Sequence, residues 1–236
     1  MLVRIDSKGI YRSDNGWCRA HYHFAYAEYS DSDNTNFGVL CAFNEFVLEP
    51  GSGFDTHPHE EMEIVSYCVE GDLTHRDSLG NSQILRPGEV QHLRAGSGLT
   101  HSELNNSDHN PLRFIQIWFR PREARLAPAY RHARFPMTSS KNRLLRLVSG
   151  EAGGQWLHIE QDADLFVAEI EPGNEVIFTN ERSRQSYLFC IDGTFEVDGS
   201  EYHSGDALKV SGRHELSVQS GVGSHVMIVN VASDVT

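Results

Sequence analysis

The sequence predicts an all-β protein built as two antiparallel β-barrel domains in one chain. Three observations carry that expectation. Runs rich in β-branched and aromatic residues recur along all 236 residues. Turn residues separate them at short intervals, and the order of strands and turns in the first half returns in the second.

The first-half strands are the clearest. Phe37 to Leu48, Met62 to Val69 and Leu112 to Phe119 each hold Val, Ile, Phe, Tyr or Trp and are bounded by Gly, Pro, Asn or Asp. Such residues fit a pleated, half-buried surface. Turns are marked by Pro50-Gly51, Glu70-Gly71, Leu79-Gly80-Asn81, Pro87-Gly88 and Gly96-Ser97-Gly98. Short strands at this spacing suit an antiparallel sandwich or barrel. Phe166 to Gly173 then mirrors Phe43 to Gly51. Tyr187 to Gly193 mirrors Ser66 to Gly71, and His203-Ser-Gly205-Asp-Ala mirrors Arg86-Pro-Gly88-Glu-Val. Repetition at a fixed offset reads as internal duplication. The expected division is a leading domain over 1–120, a basic, Pro-interrupted linker over 121–146 and a second domain over 147–236. Helix signals are weak everywhere; Arg182 to Gln185 could form one short turn.

Composition narrows the function. The formal net charge is −13, which disfavours contact with nucleic-acid phosphates or anionic membrane. Between Arg120 and Arg146 eight Lys or Arg face one acid, Glu123. They read as a solvated connector pairing with acidic neighbours. No apolar run approaches the ~20 residues that span a bilayer. Met1-Leu-Val-Arg-Ile-Asp6 carries no signal-peptide apolar region, and four scattered cysteines suit free thiols. The expected location is the cytoplasm.

Chemistry concentrates in two short segments. His57-Pro-His59 follows Gly51-Ser-Gly-Phe-Asp-Thr, and His101-Ser-Glu103 follows Gly96-Ser-Gly-Leu-Thr. Residues at i and i+2 of a strand share a face, so each pair aims two ligand types one way. If the two strands face each other, three imidazoles and a carboxylate meet around a metal ion. Glu61, Glu63 and Glu103 all have the strand parity to supply that carboxylate. The second half lacks the His-x-His pair, because 174–181 contains no histidine. His158, His203, His214 and His225 are therefore poor ligand candidates. His75 and Arg76 read as fold support or pocket rim, and His92 as a surface or rim residue. His21, His23, His109 and His132 read as surface. Phe43, Phe46, Phe54, Phe114 and Trp118 are core or cavity-lining aromatics, and Cys41 and Cys68 are buried small apolar residues.

Gly51, His57-x-His59, Glu63, Gly71, Pro87-Gly88 and His101 together resemble the two motifs of the cupin superfamily. His57-Pro-His59, His75-Arg-Asp-Ser-Leu-Gly-Asn81 and Ala95-Gly-Ser-Gly-Leu-Thr-His101-Ser-Glu103 resemble the pirin family more narrowly. Its members are bicupins, with two jelly-roll barrels, a metal in the first and a degenerate second. The acidic Glu60-Glu61-Met62-Glu63 departs from the common Arg-Gly-Phe-Glu continuation and looks like the bacterial quercetin 2,3-dioxygenase branch. Typical cupins would use Glu63 as the carboxylate ligand. The pirin resemblance implies Glu103, giving a metal set of His57, His59, His101 and Glu103. It also implies one divalent transition metal, Fe(II) first, with Ni, Co, Mn, Cu or Zn compatible with the ligands. The implied activity is cleavage of a flavonol by O2 across C2–C3 with release of CO, with Glu103 as catalytic proton acceptor. The implied partners are an aromatic small molecule and O2. The alternative implication is an iron-binding, redox-sensing regulator that binds a transcription-related protein partner.

Overall fold

A computed structural model describes residues 1–212 and 214–233. The chain forms two compact units. The first comprises Tyr11–Arg134 with Ile159–Gln161; the second comprises Met1–Ile10, Phe135–His158 and the chain from Asp162 onward. Among the described residues nearly all regular structure is β, with 3-10 turns only at Ser7–Gly9 and Met137–Ser139.

The leading unit pairs a seven-stranded sheet with a four-stranded one. The larger runs Ala129–Ala133, Val90–Arg94, Glu63–Glu70, Leu112–Phe119, Leu40–Leu48, Cys18–Tyr22 and Tyr11–Asp14. The smaller runs Gly53–His59, Leu99–Asn105, Leu73–Asp77 and Ser82–Leu85. All neighbours in both are antiparallel. Phe46, Leu48, Cys68, Leu73, Leu85, Leu112 and Phe114 cluster as its buried core. The architecture is the expected jelly roll, with its two sheets remaining separate.

The second unit is one ten-stranded sheet. Its path runs Leu2–Ile5, Ala207–Ser211, Arg184–Val197, Ser224–Ala232, Ala163–Ile170, Leu145–Ser149 and Leu157–His158. Arg184–Val197 is long enough to continue past this path and pair Ser200–His203.

Three local expectations shift. Strand Leu2–Ile5 pairs with Ala207–Ser211, so the first ten residues belong to the second unit rather than to a leading domain over 1–120. The expected linker over 121–146 contains the strand Ala129–Ala133, hydrogen-bonded to Val90–Arg94. Its arginines do pair with acids, Arg131 with Glu160 and Arg134 with Glu89. Arg182 and Ser183 form a turn leading directly into a strand, not a helical turn.

Candidate metal centre

The two histidine segments lie on neighbouring strands. Gly53–His59 pairs antiparallel with Leu99–Asn105, with His57 opposite His101 and Leu99 opposite His59. Gly53 permits the approach. Its φ is +157°, and a Cβ there would lie 2.4 Å from the Glu103 carbonyl oxygen. The register then slips: His101 faces His57, but Glu103 faces Phe54. One extra residue in the Gly53–His59 strand is a β-bulge. It brings Phe54 to the same face as His57 despite the wrong sequence parity. It also leaves the Asp55 carbonyl 2.7 Å from His57 Nδ1. A carbonyl only accepts, so Nδ1 carries the proton and the Nε2 lone pair stays free for a cation.

His57, His59 and His101 come together, each offering a ring nitrogen within 4.8 Å of the others. Ring centroids are 4.5 to 4.9 Å apart. His101 is buried at 1% exposure, and neither of its ring nitrogens has a hydrogen-bond partner. A buried imidazole with both nitrogens unmet carries a desolvation cost that an ion would offset. Burial, then the neighbouring His57 and His75, lower the His101 pKa to about 3. Burial, then His101 and His57, lower that of His59 to about 4. Both rings are neutral near pH 7, the form that ligates metal. The residues therefore fit a divalent transition metal.

Glu103 stands beside this trio, close enough for its charge to act on His59. It is buried at 1% exposure and held by three neutral donors. Oε1 accepts from Ser66 Oγ at 3.0 Å and Gln91 Nε2 at 3.1 Å; Oε2 accepts from Gln116 Nε2 at 2.6 Å. Two aromatic side chains orient the amides. Trp118 Nε1 donates to Gln116 Oε1 at 2.9 Å, and the Tyr130 hydroxyl donates to Gln91 Oε1 at 3.1 Å. An indole N–H can only donate, so the Gln116 NH2 must point at the carboxylate. Burial raises the Tyr130 pKa, keeping its hydroxyl a donor.

Glu63 lies elsewhere. It precedes Ile64, Ser66 and Cys68 by an odd step and so points to the opposite face of its strand from Ser66. There it pairs with His92 at 2.9 Å and accepts from the Glu160 backbone N–H. His92 is thus fully buried rather than at the surface, and His23 is also buried, against Phe43 at 4.9 Å. His75 is buried, stacked on Tyr130 at 4.3 Å and bonded through Nε2 to Asp77 at 3.1 Å. Of the candidate aromatics, Phe54 and Trp118 border the trio, at 6.4 Å from His57 and 5.0 Å from His59. Phe46 and Phe114 are core. His59 also lines an open cleft of about 710 Å3 with Pro58, Glu60, Ser78 and the segment 97–100.

A family model described as pirin matches residues 6–119, and one described as a quercetinase C-terminal cupin domain matches 146–231. The chain belongs to the pirin family. An Escherichia coli protein named quercetin 2,3-dioxygenase is 30% identical over 98% of this chain and 97% of its own. A Pseudomonas aeruginosa protein provisionally given the same name is 35% identical over 98% of this chain and all of its own. The crystal structure of the bacterial pirin YhhW from E. coli in complex with nickel(II) matches with a TM-score of 0.92 and 28% identity, covering 99% of this chain and 100% of that one. No described helix of this pirin is long and apolar enough to cross a membrane.

The sequence reading missed Ser66, Gln91, Gln116 and Tyr130. Gln116 left a signal: an amide inside Phe114-Ile-Gln-Ile-Trp-Phe119 must be buried, and a buried amide needs partners. Tyr130 was hidden by the Pro and Arg residues around it.

Proposed function

We propose that this pirin is a metal-dependent dioxygenase that cleaves a quercetin-type flavonol across C2–C3 with O2, releasing CO. The observation that carries the reading is a converging trio of imidazoles, one of them fully buried with both ring nitrogens unpartnered, beside a carboxylate that only neutral donors hold. His57, His59 and His101 would hold the metal, with Glu103 as fourth ligand; iron(II) is the first choice, and nickel, cobalt, manganese, copper and zinc suit the same donors. The bound ion would supply a Lewis-acidic centre with open positions for the two reactants.

The chain's own residues have separable tasks. Phe54 and Trp118 offer apolar flanks to a planar ring. Glu103 is placed to accept the proton of the flavonol 3-hydroxyl at a carboxylate oxygen. A proton acceptor works best when its geometry is fixed in advance, and the Ser66, Gln91 and Gln116 donors fix it. None of the three is charged, so the carboxylate keeps its negative charge uncompensated by a cation of the protein. The cleft at His59 lies within the ~300–1,000 Å3 usual for small-molecule sites.

The test is oxygen uptake and CO release with quercetin, using protein purified without a polyhistidine tag and loaded with each metal in turn. At least one metal form should consume quercetin and O2 in equal amounts, and His59→Ala should lose metal and turnover together. Undiminished quercetin consumption by the metal-free His59→Ala protein would overturn the reading.

A further inference from the structure

An unbroken file of oxidisable rings joins the histidine trio to the surface. Trp118 meets His59 edge to face at 5.0 Å, and Tyr26 meets Trp118 at 5.1 Å. Tyr22 follows at 5.1 Å from Tyr26, then Tyr11 at 6.0 Å, stacked at 9°. Tyr11 stacks in turn on Tyr29 at 4.8 Å and 10°. Tyr11 is 36% exposed, so the file ends in solvent. Every ring between His59 and that end is Trp or Tyr.

Ordinary core packing does not ask for this choice. A second aromatic file in the unit, Trp17, Phe54, Phe46 and Phe114, which touches Tyr22 at Phe46, is phenylalanine after its first ring. Phenylalanine packs as well as tyrosine and does not surrender an electron at protein potentials. In the second unit Phe166 meets Phe178 and Phe195 stacks on Tyr202. The tyrosine file also has proton acceptors where a phenol must lose its proton on oxidation. The Tyr29 hydroxyl donates to Asp31 Oδ2 at 3.0 Å. The Tyr22 hydroxyl is bonded to Ser13, whose Oγ donates to Glu28 Oε1.

We propose that Trp118, Tyr26, Tyr22, Tyr11 and Tyr29 form an electron-transfer path that carries oxidising equivalents from the metal centre to the surface, sparing the ligand histidines. The inference rests on the metal centre of the proposed function but not on its substrate. The oxidant is hydrogen peroxide reaching iron(II) at the histidine trio. Reducing one peroxide to two waters takes two electrons and two protons. A bound iron(II) would supply one of the electrons, ending as iron(III). Tyr29 gives the other along the file and becomes a neutral phenoxyl radical, its proton passing to Asp31. The two protons that complete the waters come from solvent.

The experiment uses the whole iron(II)-loaded protein, with iron content measured first. Peroxide is added, samples are freeze-quenched for electron paramagnetic resonance, and oxidised side chains are located by peptide mass spectrometry. The wild type should give a tyrosyl signal and carry its oxidation on Tyr11 and Tyr29. Tyr26→Phe keeps the ring and its packing but removes the oxidisable group. It should lower Tyr11 and Tyr29 oxidation several-fold and move damage to Trp118 and His59. Tyr202→Phe in the second unit should change neither. An absent tyrosyl signal in iron-loaded protein, or the same damage map in wild type and Tyr26→Phe, would overturn the path while leaving the flavonol reading intact. Failure of quercetin turnover in every metal form with the radical present would do the reverse, and failure to bind iron would overturn the path alone.

Discussion

The two units are copies of one design that differ in what fills matching interior positions. The second keeps a buried polar trio of Asn180, Ser186 and Asn230, but not where the first has its histidines and carboxylate. Their backbones can be aligned through shared turns. Cys68 Sγ lies 3.3 Å from the Gly71 carbonyl, and Cys190 Sγ lies 3.5 Å from that of Gly193. Gly88 N–H bonds the Cys68 carbonyl at 2.9 Å as Gly205 N–H bonds that of Cys190 at 2.8 Å. Counting from these anchors, Ser66, Gln91 and Gln116 correspond to Leu188, Leu208 and Ile228. Ser66 pairs with both Gln91 and Gln116, and Leu188 with both Leu208 and Ile228. The cross-strand pair His57 and His101 gives way to Phe178 and Leu216, and Glu103 to Val218. All six replacements are buried in one apolar cluster. The fold therefore stands without polar groups at these six positions, and the first unit's buried His101 and Glu103 carry a desolvation cost that packing does not require.

That contrast is tested hardest at His101 and Leu216. His101→Ala should reduce bound metal from one per chain to none by elemental analysis and abolish turnover. Leu216→Ala should leave metal content intact and cost about 2–5 kcal/mol of stability in urea unfolding. Retained metal in His101→Ala would break the assignment of the first interior as the metal-holding one.

Exchanging the network residues comes next. Ile228→Gln places an amide where Leu188, Leu208 and Val218 offer no partner, and should cost about 2–4 kcal/mol. Gln116→Ile removes one donor from Glu103 and leaves the Trp118 indole N–H unpaired, for about 1–3 kcal/mol. It should also slow proton transfer without removing metal. If Gln116→Ile were instead stabilising and fully active, the donors around Glu103 would be packing alone.

Much of this contrast was legible in the sequence, and the reasons differ by residue. The strand Leu112–Phe119 and the duplication through Pro50-Gly51 and Pro172-Gly173 are local patterns, so they read directly. The histidine trio was legible because the i, i+2 rule fixes side-chain direction within a strand. Phe54 defeated that rule, since a bulge flips parity without a sequence mark. Ala129–Ala133 was missed because edge-strand pairing with Val90–Arg94 overrides weak local propensity. His92 reads as a surface or rim residue because its partner Glu63 lies on the neighbouring strand, a pairing that nothing local to His92 marks. Only the paired sheet shows that both point away from the trio.

Acid should sharpen the contrast. In the folded metal-free protein the pKa values of His59 and His101 lie at about 4 and about 3, below the ordinary 6.5. The unfolded chain therefore binds more protons as pH falls below about 6.5, so stability declines from there toward pH 4. Thermal melts of the metal-free protein should show a falling midpoint over that window. His57→Phe with His101→Leu, which imports the second unit's pair, should flatten the slope. An unchanged slope would mean that other groups govern acid sensitivity.

The smallest expected effect concerns what the two units share. Burial raises the Cys68 pKa to about 12, so its S–H is intact and can donate to the Gly71 carbonyl. Cys190 makes the same contact with Gly193. Gly71 and Gly193 both have positive φ, at +81° and +77°, and a Cβ on either would strike a backbone oxygen, at 2.6 Å and 2.1 Å. The two turns are thus built under the same constraint and anchored by the same thiol. Cys68→Ala and Cys190→Ala should each cost about 1–2 kcal/mol, from a lost weak hydrogen bond and a small cavity. Neither should alter metal content. The informative quantity is the difference between them, read from paired urea titrations. Near equality follows if the turn was inherited whole from a common ancestor half and only the interior diverged. A gap of several kcal/mol would mean that the units differ in their frame as well as in their filling, and the residue-by-residue correspondence drawn from these anchors would fail.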